Sequence, residues 1–221
     1  MMYPELKLTL HKPELVAAAA LMKSTEETRY YLNGVFIQPA KDGGVHVVAT
    51  DGHLLSVGYD AEGELTGVPE QDNGGGVILN LEPREFAMFA AGKCKRAEIE
   101  GEELRLYRQH KRLSEGQLAK RIFADFVDGT YPDWRRVVPE TPDRAAFAGF
   151  NIHYLAKYSR VAKCLGKNVR SVVVKGDSES SPHIVQFPDI DHWFGVIMPV
   201  RTLLDRGAPK WFGKPEMEKA A

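Results

Sequence analysis

The strongest constraint on this chain is a spacing that recurs three times. Each segment opens on an apolar residue, continues through polar residues or proline, and reaches a second apolar residue five positions on. The segments are Leu10–Leu15 (LHKPEL), Leu81–Phe86 (LEPREF) and Phe150–Leu155 (FNIHYL), and their end points lie 71 and 69 residues apart. Each end point opens a helical pattern: KPELVAAAALMK, EPREFAMFAAGK and IHYLAKYSRVAKCLG. Pro13 and Pro83 suit a first helical turn, where a missing N–H costs nothing. Alanine-rich interiors favour helix and allow close packing.

A short strand pattern precedes each helix (ELKLTL, GVILNL, AAFAGF), and about three follow it. These are NGVFIQPA, GVHVVAT and LLSVGYD in the first copy. RAEIEG, ELRLYRQ and AKRIFADFV follow in the second, and VRSVVVKG, HIVQFPD and WFGVIMPV in the third. Apolar–polar alternation predicts antiparallel strands with one buried face. The fold class is therefore α+β, built from repeated β-α-β-β-β units with the helices on one face of antiparallel sheets. Gly-rich DNGGGV (Asp72 to Val77) and PETPDRA (Pro139 to Ala145) read as linkers between copies. Residues 1–140 then form a domain of two units, 141–204 a third unit, and 205–221 a tail.

At 221 residues, 43% hydrophobic and 27% charged, the chain has room for a substantial core. No apolar run reaches a membrane span, and no signal peptide is read at the N-terminus, so a cytoplasmic location without membrane contact is expected. Cys94 and Cys164 have no metal-ligand spacing and read as buried thiols; no metal or cofactor is expected. A net charge of −1 excludes a uniformly basic nucleic-acid binder, but not one whose cations share a face.

TRYYLNGV, VATDGHLLSV, DGTYPDWRRVVP and GVIMPVR resemble signature segments of the bacterial sliding clamp, the beta subunit of DNA polymerase III. The resemblance runs over roughly residues 5 to 203 and identifies a shortened, divergent member: a middle domain joined to the last half of a third. It implies the DNA-clamp fold, with helices inward and sheets outward, and a ring of twelve such units around duplex DNA. Three units are an odd number. Pairing of third units across a twofold axis would make a homodimer of six units, and two dimers would supply twelve.

The resemblance also implies a peptide groove that receives linear segments of DNA polymerase and clamp loader. Its walls correspond to Leu32, the turn Thr50, Gly52, His53, Leu54 and Leu55, then Pro132, Arg136 and Val137, and finally Val196, Ile197, Met198, Pro199, Val200 and Arg201. Leu54 stands where the family commonly has arginine. Met198 gives an adaptable wall and Gly52 close backbone approach.

Charge supports the inward helices. Arg144 to Arg170 holds six cations, among them Lys157, Arg160, Lys163 and Lys167, and no acid. The second helical region adds Arg84, Lys93, Lys95 and Arg96, and the first Lys12 and Lys23. Such residues meet phosphates without reading bases, as sliding requires. Asp51 with His53, and DIDHW (Asp189 to Trp193), set carboxylates beside histidines, but no nucleophile, HExxH or phosphate loop accompanies them. Turn chemistry accounts for both, so no catalytic residue is expected. GQLAKRIF (Gly116 to Phe123) reads as a core strand, and Trp211 with Phe212 as apolar anchors in the tail. A sliding clamp that encircles DNA and tethers a polymerase is the leading expectation. The alternative is a non-ring adaptor or competitor that binds clamp-partner peptides or the host clamp.

Overall fold

A computed structural model of the chain describes residues 3–68, 75–109, 116–139, 148–166, 169 and 171–201. The first unit comprises β1 (Lys7–Leu10), α1 (Glu14–Ala20), β2 (Val35–Pro39), β3 (Val45–Thr50), β4 (Leu54–Asp60) and β5 (Glu64–Thr66). The second comprises β6 (Val77–Asn80), α2 (Pro83–Phe86), β7 (Arg96–Glu100), β8 (Glu103–Arg108), β9 (Gln117–Phe123) and β10 (Asp125–Phe126). The third comprises α3 (Ile152–Cys164), β11 (Val173–Lys175), β12 (His183–Gln186) and β13 (Trp193–Ile197).

All strand pairs are antiparallel, and they form two sheets ordered β5-β1-β7-β8-β9 and β10-β6-β2-β3-β4-β13-β12-β11. The first two units exchange opening strands. β1 leaves its own unit to pair with β7, and β6 pairs in return with β2. The last strand of each unit then returns beside its own opening strand, as β5–β1 and β10–β6. Residues 7–126 therefore have internal pseudo-twofold symmetry.

The third unit extends the larger sheet. β13 pairs with β4 from Trp193↔Gly58 to Ile197↔Leu54, so the polypeptide's last described strand lies against its first unit. Of the expected opening strand AAFAGF, residues 145–147 lie outside the described residues. Gly149 forms an isolated bridge with Val200, the counterpart of β1 beside β5.

Alternation along β2, β3, β4, β6 and β13 sends side chains to two separate cores. Val35, Ile37, Val45, Val47, Leu54, Val77, Leu79 and Ile197 join the main core with Leu15, Val16 and Phe89. Phe36, Val48, Leu55, Val57, Ile78 and Val196 join a second cluster, capped by Tyr131 and Trp134. The middle of the larger sheet is thus covered on both faces, not on the one face that alternation predicts.

Other expectations need correction. The second helix holds only Pro83–Phe86, because its continuation makes three-residue turns (Met88 N to Glu85 O, Phe89 N to Phe86 O) and the Ala91 amide turns to the Cys164 carbonyl. β5 (Glu64–Thr66) lies outside the expected strand runs. β9 is an edge strand with six of its seven residues exposed, not a core strand; among the described residues it has a neighbour on one side alone. The linker residues 72–74 and 140–145, and the tail with Trp211 and Phe212, lie outside the described residues.

Asp60 ties strand to helix. Fully buried at the end of β4, its Oδ2 accepts the amides of His11 (2.7 Å) and Lys12 (2.8 Å), just ahead of α1. Charge-assisted bonds of this kind are stronger than neutral ones, and losing them strands two amide donors. Asp60→Ala is expected to destabilise the fold by about 2–3 kcal/mol in urea unfolding. A loss below about 0.5 kcal/mol would show the carboxylate to be dispensable.

Candidate peptide groove and basic helices

The turn between β3 and β4 is built by one carboxylate. Asp51 Oδ1 accepts the amides of His53 (2.9 Å) and Leu54 (2.8 Å), while Thr50 Oγ1 donates to the Leu54 carbonyl (2.7 Å) and accepts the Gly52 amide (3.0 Å). Gly52 has φ +89°, a conformation that requires glycine, and the Arg29 guanidinium lies over it, 2.6 Å from where a Cβ would stand. The other Asp51 oxygen, Oδ2, receives Lys157 Nζ of α3 at 3.0 Å. His53 stacks on Tyr154, one turn before Lys157, with centroids 5.6 Å apart. Turn formation and the ion pair occupy the Asp51 carboxylate. Among the described residues no three His, Cys, Asp or Glu side chains group to hold a metal ion.

The three sequence segments assigned to the groove converge here. The Met198 amide donates to the His53 carbonyl (2.9 Å), directly beyond the β4–β13 ladder, and Leu55 stands opposite Val196. Tyr131, fully buried, lies against the Thr50 backbone and stacks on Phe36 at 4.6 Å. Burial pushes its phenol pKa far up. The segment then makes a 3-10 helix, Trp134–Val137, started by Asp133 accepting the Arg135 amide. Trp134 Nε1 and Arg135 Nη1 both donate to Gln38 Oε1 at 3.3 and 3.0 Å, locking the segment onto β2.

The convergence divides the expected wall residues. Leu54 (1% exposed) and Ile197 (0%) point into the main core, one residue out of phase with the groove side. Leu54 is therefore not a rim residue, because the strand period of two turns it inward. Leu32, Leu55 and Val196 lie on the correct side but form its buried floor, each under 5% exposed. Thr50, Met198 and Pro199 are half-buried, and Gly52, His53, Pro132, Arg136, Val137, Val200 and Arg201 are exposed. Val137 (49%) and Val200 (37%) are the apolar surface. Two concavities, of about 570 Å³ at the β8–β9 edge and about 330 Å³ beside β11, include none of these residues. Sequence reading missed Tyr154 and Arg29, which frame the turn. Tyr154 sits on the half-buried stripe of α3 and Arg29 beside Tyr30-Tyr31, and neither position carries a sequence signal of its own.

The basic residues also separate. On α3, residues 152, 153, 156, 159, 160 and 163 form one exposed stripe, which carries Arg160 and Lys163, while Tyr158, Val161 and Ala162 are buried. Lys157 belongs to the Asp51 pair, and Lys167 lies outside the described residues. Arg84 is exposed on α2, and Lys93 and Lys95 are exposed in the turns after it. Arg96 is in β7, on the outer sheet face, bridged to Glu98 (3.1 Å) and stacked on Tyr107 (4.6 Å); it is not a helix residue. Lys12 is half-buried. Lys23 donates to the Asn33 carbonyl (2.9 Å) and lies over Phe86, and burial lowers its pKa. No helix among the described residues is long and apolar enough to cross a membrane.

The arrangement of a third unit appended to the larger sheet of a pseudo-symmetric two-unit domain is similar to part of solved DNA sliding clamps. No family model matches the chain. The C. crescentus beta sliding clamp shares 20% identity at a TM-score of 0.62, over 91% of this chain and 67% of that one. A DnaN sliding clamp from Bartonella birtlesii, bound to griselimycin, shares 20% identity at a TM-score of 0.58, over 89% of this chain and 66% of that one. In sequence, the beta sliding clamp of Caulobacter vibrioides (strain NA1000 / CB15N) is 32% identical over 153 residues. That match spans 67% of this chain and 38% of the relative, so the chain covers well under half of that protein. The chain is a divergent relative of the bacterial beta sliding clamps, the DNA polymerase III beta subunits.

His46 lies between Tyr59 and Trp134, and burial, helped by Arg135, lowers its pKa from 6.5. The unfolded chain then binds more protons between the two values, so this stability is fully present above about pH 6.5 and falls with pH below it. His46→Phe is expected to flatten the loss of urea stability between about pH 6.5 and 5. An unchanged slope would place the acid sensitivity elsewhere.

Proposed function

We propose that the chain is a sliding-clamp protein: it binds duplex DNA through its basic helices without reading sequence, and it takes linear peptides of DNA polymerase and clamp loader in the groove at the β4–β13 end. One observation carries the groove: the Met198–His53 backbone bond, which joins two distant segments at one rim, beside the third segment that Tyr131 and Trp134 pack against the same floor. An exposed Val137 and Val200, a half-buried Met198, and Arg136 and Arg201 beside them offer apolar contacts framed by cations. Such a surface suits a short peptide with apolar anchors and acidic or carbonyl groups. Chemistry is not part of this function, since the only carboxylate–histidine turn at the site is spent on structure.

Met198→Ala or Val137→Glu is expected to weaken binding of a labelled bacterial polymerase-tail peptide about tenfold or more in fluorescence anisotropy, with the melting temperature unchanged. Wild-type affinity in both variants would remove these residues from the site. Val196 is unsuitable for such a test, because a charge at a 3%-exposed core position would unfold the floor.

DNA binding rests on α3, whose thirteen residues include no acid. Each phosphate contact contributes a slope of about −0.9 in log affinity against log salt. Arg160→Glu with Lys163→Glu is expected to weaken duplex binding equally for unrelated sequences and to flatten the salt slope by about 2 units. An unaltered slope would mean that α3 does not face the phosphates. The adaptor reading draws on the open edge of β11. Retention on nicked circular DNA with release on linearisation favours the clamp, and equal retention on both forms favours the adaptor.

A further inference from the structure

We infer that the open edge of β11 is an interface for a second copy of this chain, which lays its own Ala148–Phe150 segment against that edge and receives the same in return. This deepens the oligomeric part of the clamp reading, while resting on the internal symmetry of residues 7–126 and not on the groove.

In both complete units, the first strand after the helix is an interior strand. β2 is flanked by β6 and β7 by β1, and each flanking strand is the opening strand of the other unit. Burial follows: Val35 and Ile37 are 0% exposed, and Ala97 and Ile99 are 2% and 3% exposed. β11 occupies this position in the third unit but, among the described residues, ends its sheet with β12 alone beside it. Val173 and Val174 are only half-buried, and the adjoining Val172 is 47% exposed.

The group that fills this vacancy elsewhere in the molecule is an opening strand. The third unit has the end of one to offer, Ala148–Phe150. The Val200 amide donates to the Gly149 carbonyl (2.8 Å), repeating the β1–β5 arrangement, and Phe150 packs edge-on against His183 at 5.0 Å. In the first two units the opposite side of the opening strand pairs with the partner unit. Two third units facing each other across a twofold axis would satisfy both requirements at once, each residue of the contact meeting its reciprocal.

Charge distinguishes this edge from β9, the exposed edge of the other sheet. Lys120 and Arg121 stand in β9, the kind of cation that blocks edge pairing, and two copies of that strand would face each other with four positive charges. Val172–Val174 carries no charge and no proline, and β11 holds a single cation, Lys175 at its end, where β9 holds two adjacent ones mid-strand. A concavity of about 330 Å³ borders the same edge, where Val173, Phe187, Pro188, Ile190 and Phe194 alternate with Lys175, Gln186 and Asp191.

Sedimentation velocity on the whole protein at 1–100 µM tests the inference. A dimer is expected, and Val172→Asp should weaken it at least tenfold while leaving the circular dichroism spectrum unchanged. Leu118→Asp on β9 should leave the dimer intact. A strict monomer throughout the range, an open-ended polymer, or a dimer indifferent to Val172→Asp would overturn the assignment, as would one split by Leu118→Asp. If Val172→Asp alone unfolds the chain, Val172→Thr decides: it should weaken the dimer, and an unweakened dimer overturns the proposal. Peptide binding by the monomeric variant separates this outcome from the groove, because the groove lies at the opposite side of the third unit's strands, on β13.

Discussion

Everything at the candidate site depends on the pairing of β13 with β4. Five residue pairs join the third unit to the first, and the register decides which side chains become floor, core or rim. A slip of one residue would exchange Leu55 and Val196 with Leu54 and Ile197, moving every apolar side chain to the wrong face. Several contacts prevent it. Trp193 Nε1 donates to Ser56 Oγ (2.9 Å), Tyr158 Oη donates to the Val196 carbonyl (2.9 Å), and the Met198 amide closes on His53. Two glycines let the helices come close to this ladder. A Cβ at Gly195 would lie 2.7 Å from Tyr158 Cε1, and one at Gly58 would lie 2.5 Å from Leu15 Cδ2. Helices α1 and α3 thus reach the same stretch of sheet from neighbouring units, and register and helix placement support each other.

Charge follows the same layering. The outer face of the smaller sheet holds a network in which Glu98 meets Arg96, Arg105 and the Tyr107 hydroxyl, and Glu103 meets Arg105 and Arg121. These pairs, from half-buried to exposed, neutralise the face. The stripe on α3 has no such acids, so its cations keep their field. A chain of net charge −1 can therefore present one electropositive side.

The repeated spacing made the unit order legible, because a helix start needs proline or a cap and an apolar anchor at fixed distance. Strand positions followed from alternation, and the described strands fall within the expected runs apart from β5 and the first residues of β9. Face assignment was less legible. Leu54-Leu55 and Val196-Ile197 are adjacent apolar pairs, and a pair gives no phase; only the pairing partner decides which member turns inward. Arg96 was misplaced for a related reason: α2 stops ten residues earlier, and the intervening turns are stabilised by the Cys164 carbonyl of a distant unit. Burial of β9 was overestimated because Leu118, Ile122 and Phe123 suggest a core strand, whereas exposure there is set by the absence of a neighbour in the sheet.

Asp51 joins the two sides of the molecule. One of its oxygens shapes the turn that offers His53 and Gly52 to the groove, and the other holds Lys157 of the basic helix at 3.0 Å. The Lys157 and Asp51 side chains are 30% and 16% exposed, so the pair is screened less than a surface bridge and holds turn and helix in one geometry. Tyr154 adds a second tie one turn earlier, through its stack on His53. Both ties come from α3, so the β3–β4 turn is anchored to that helix at two points one turn apart.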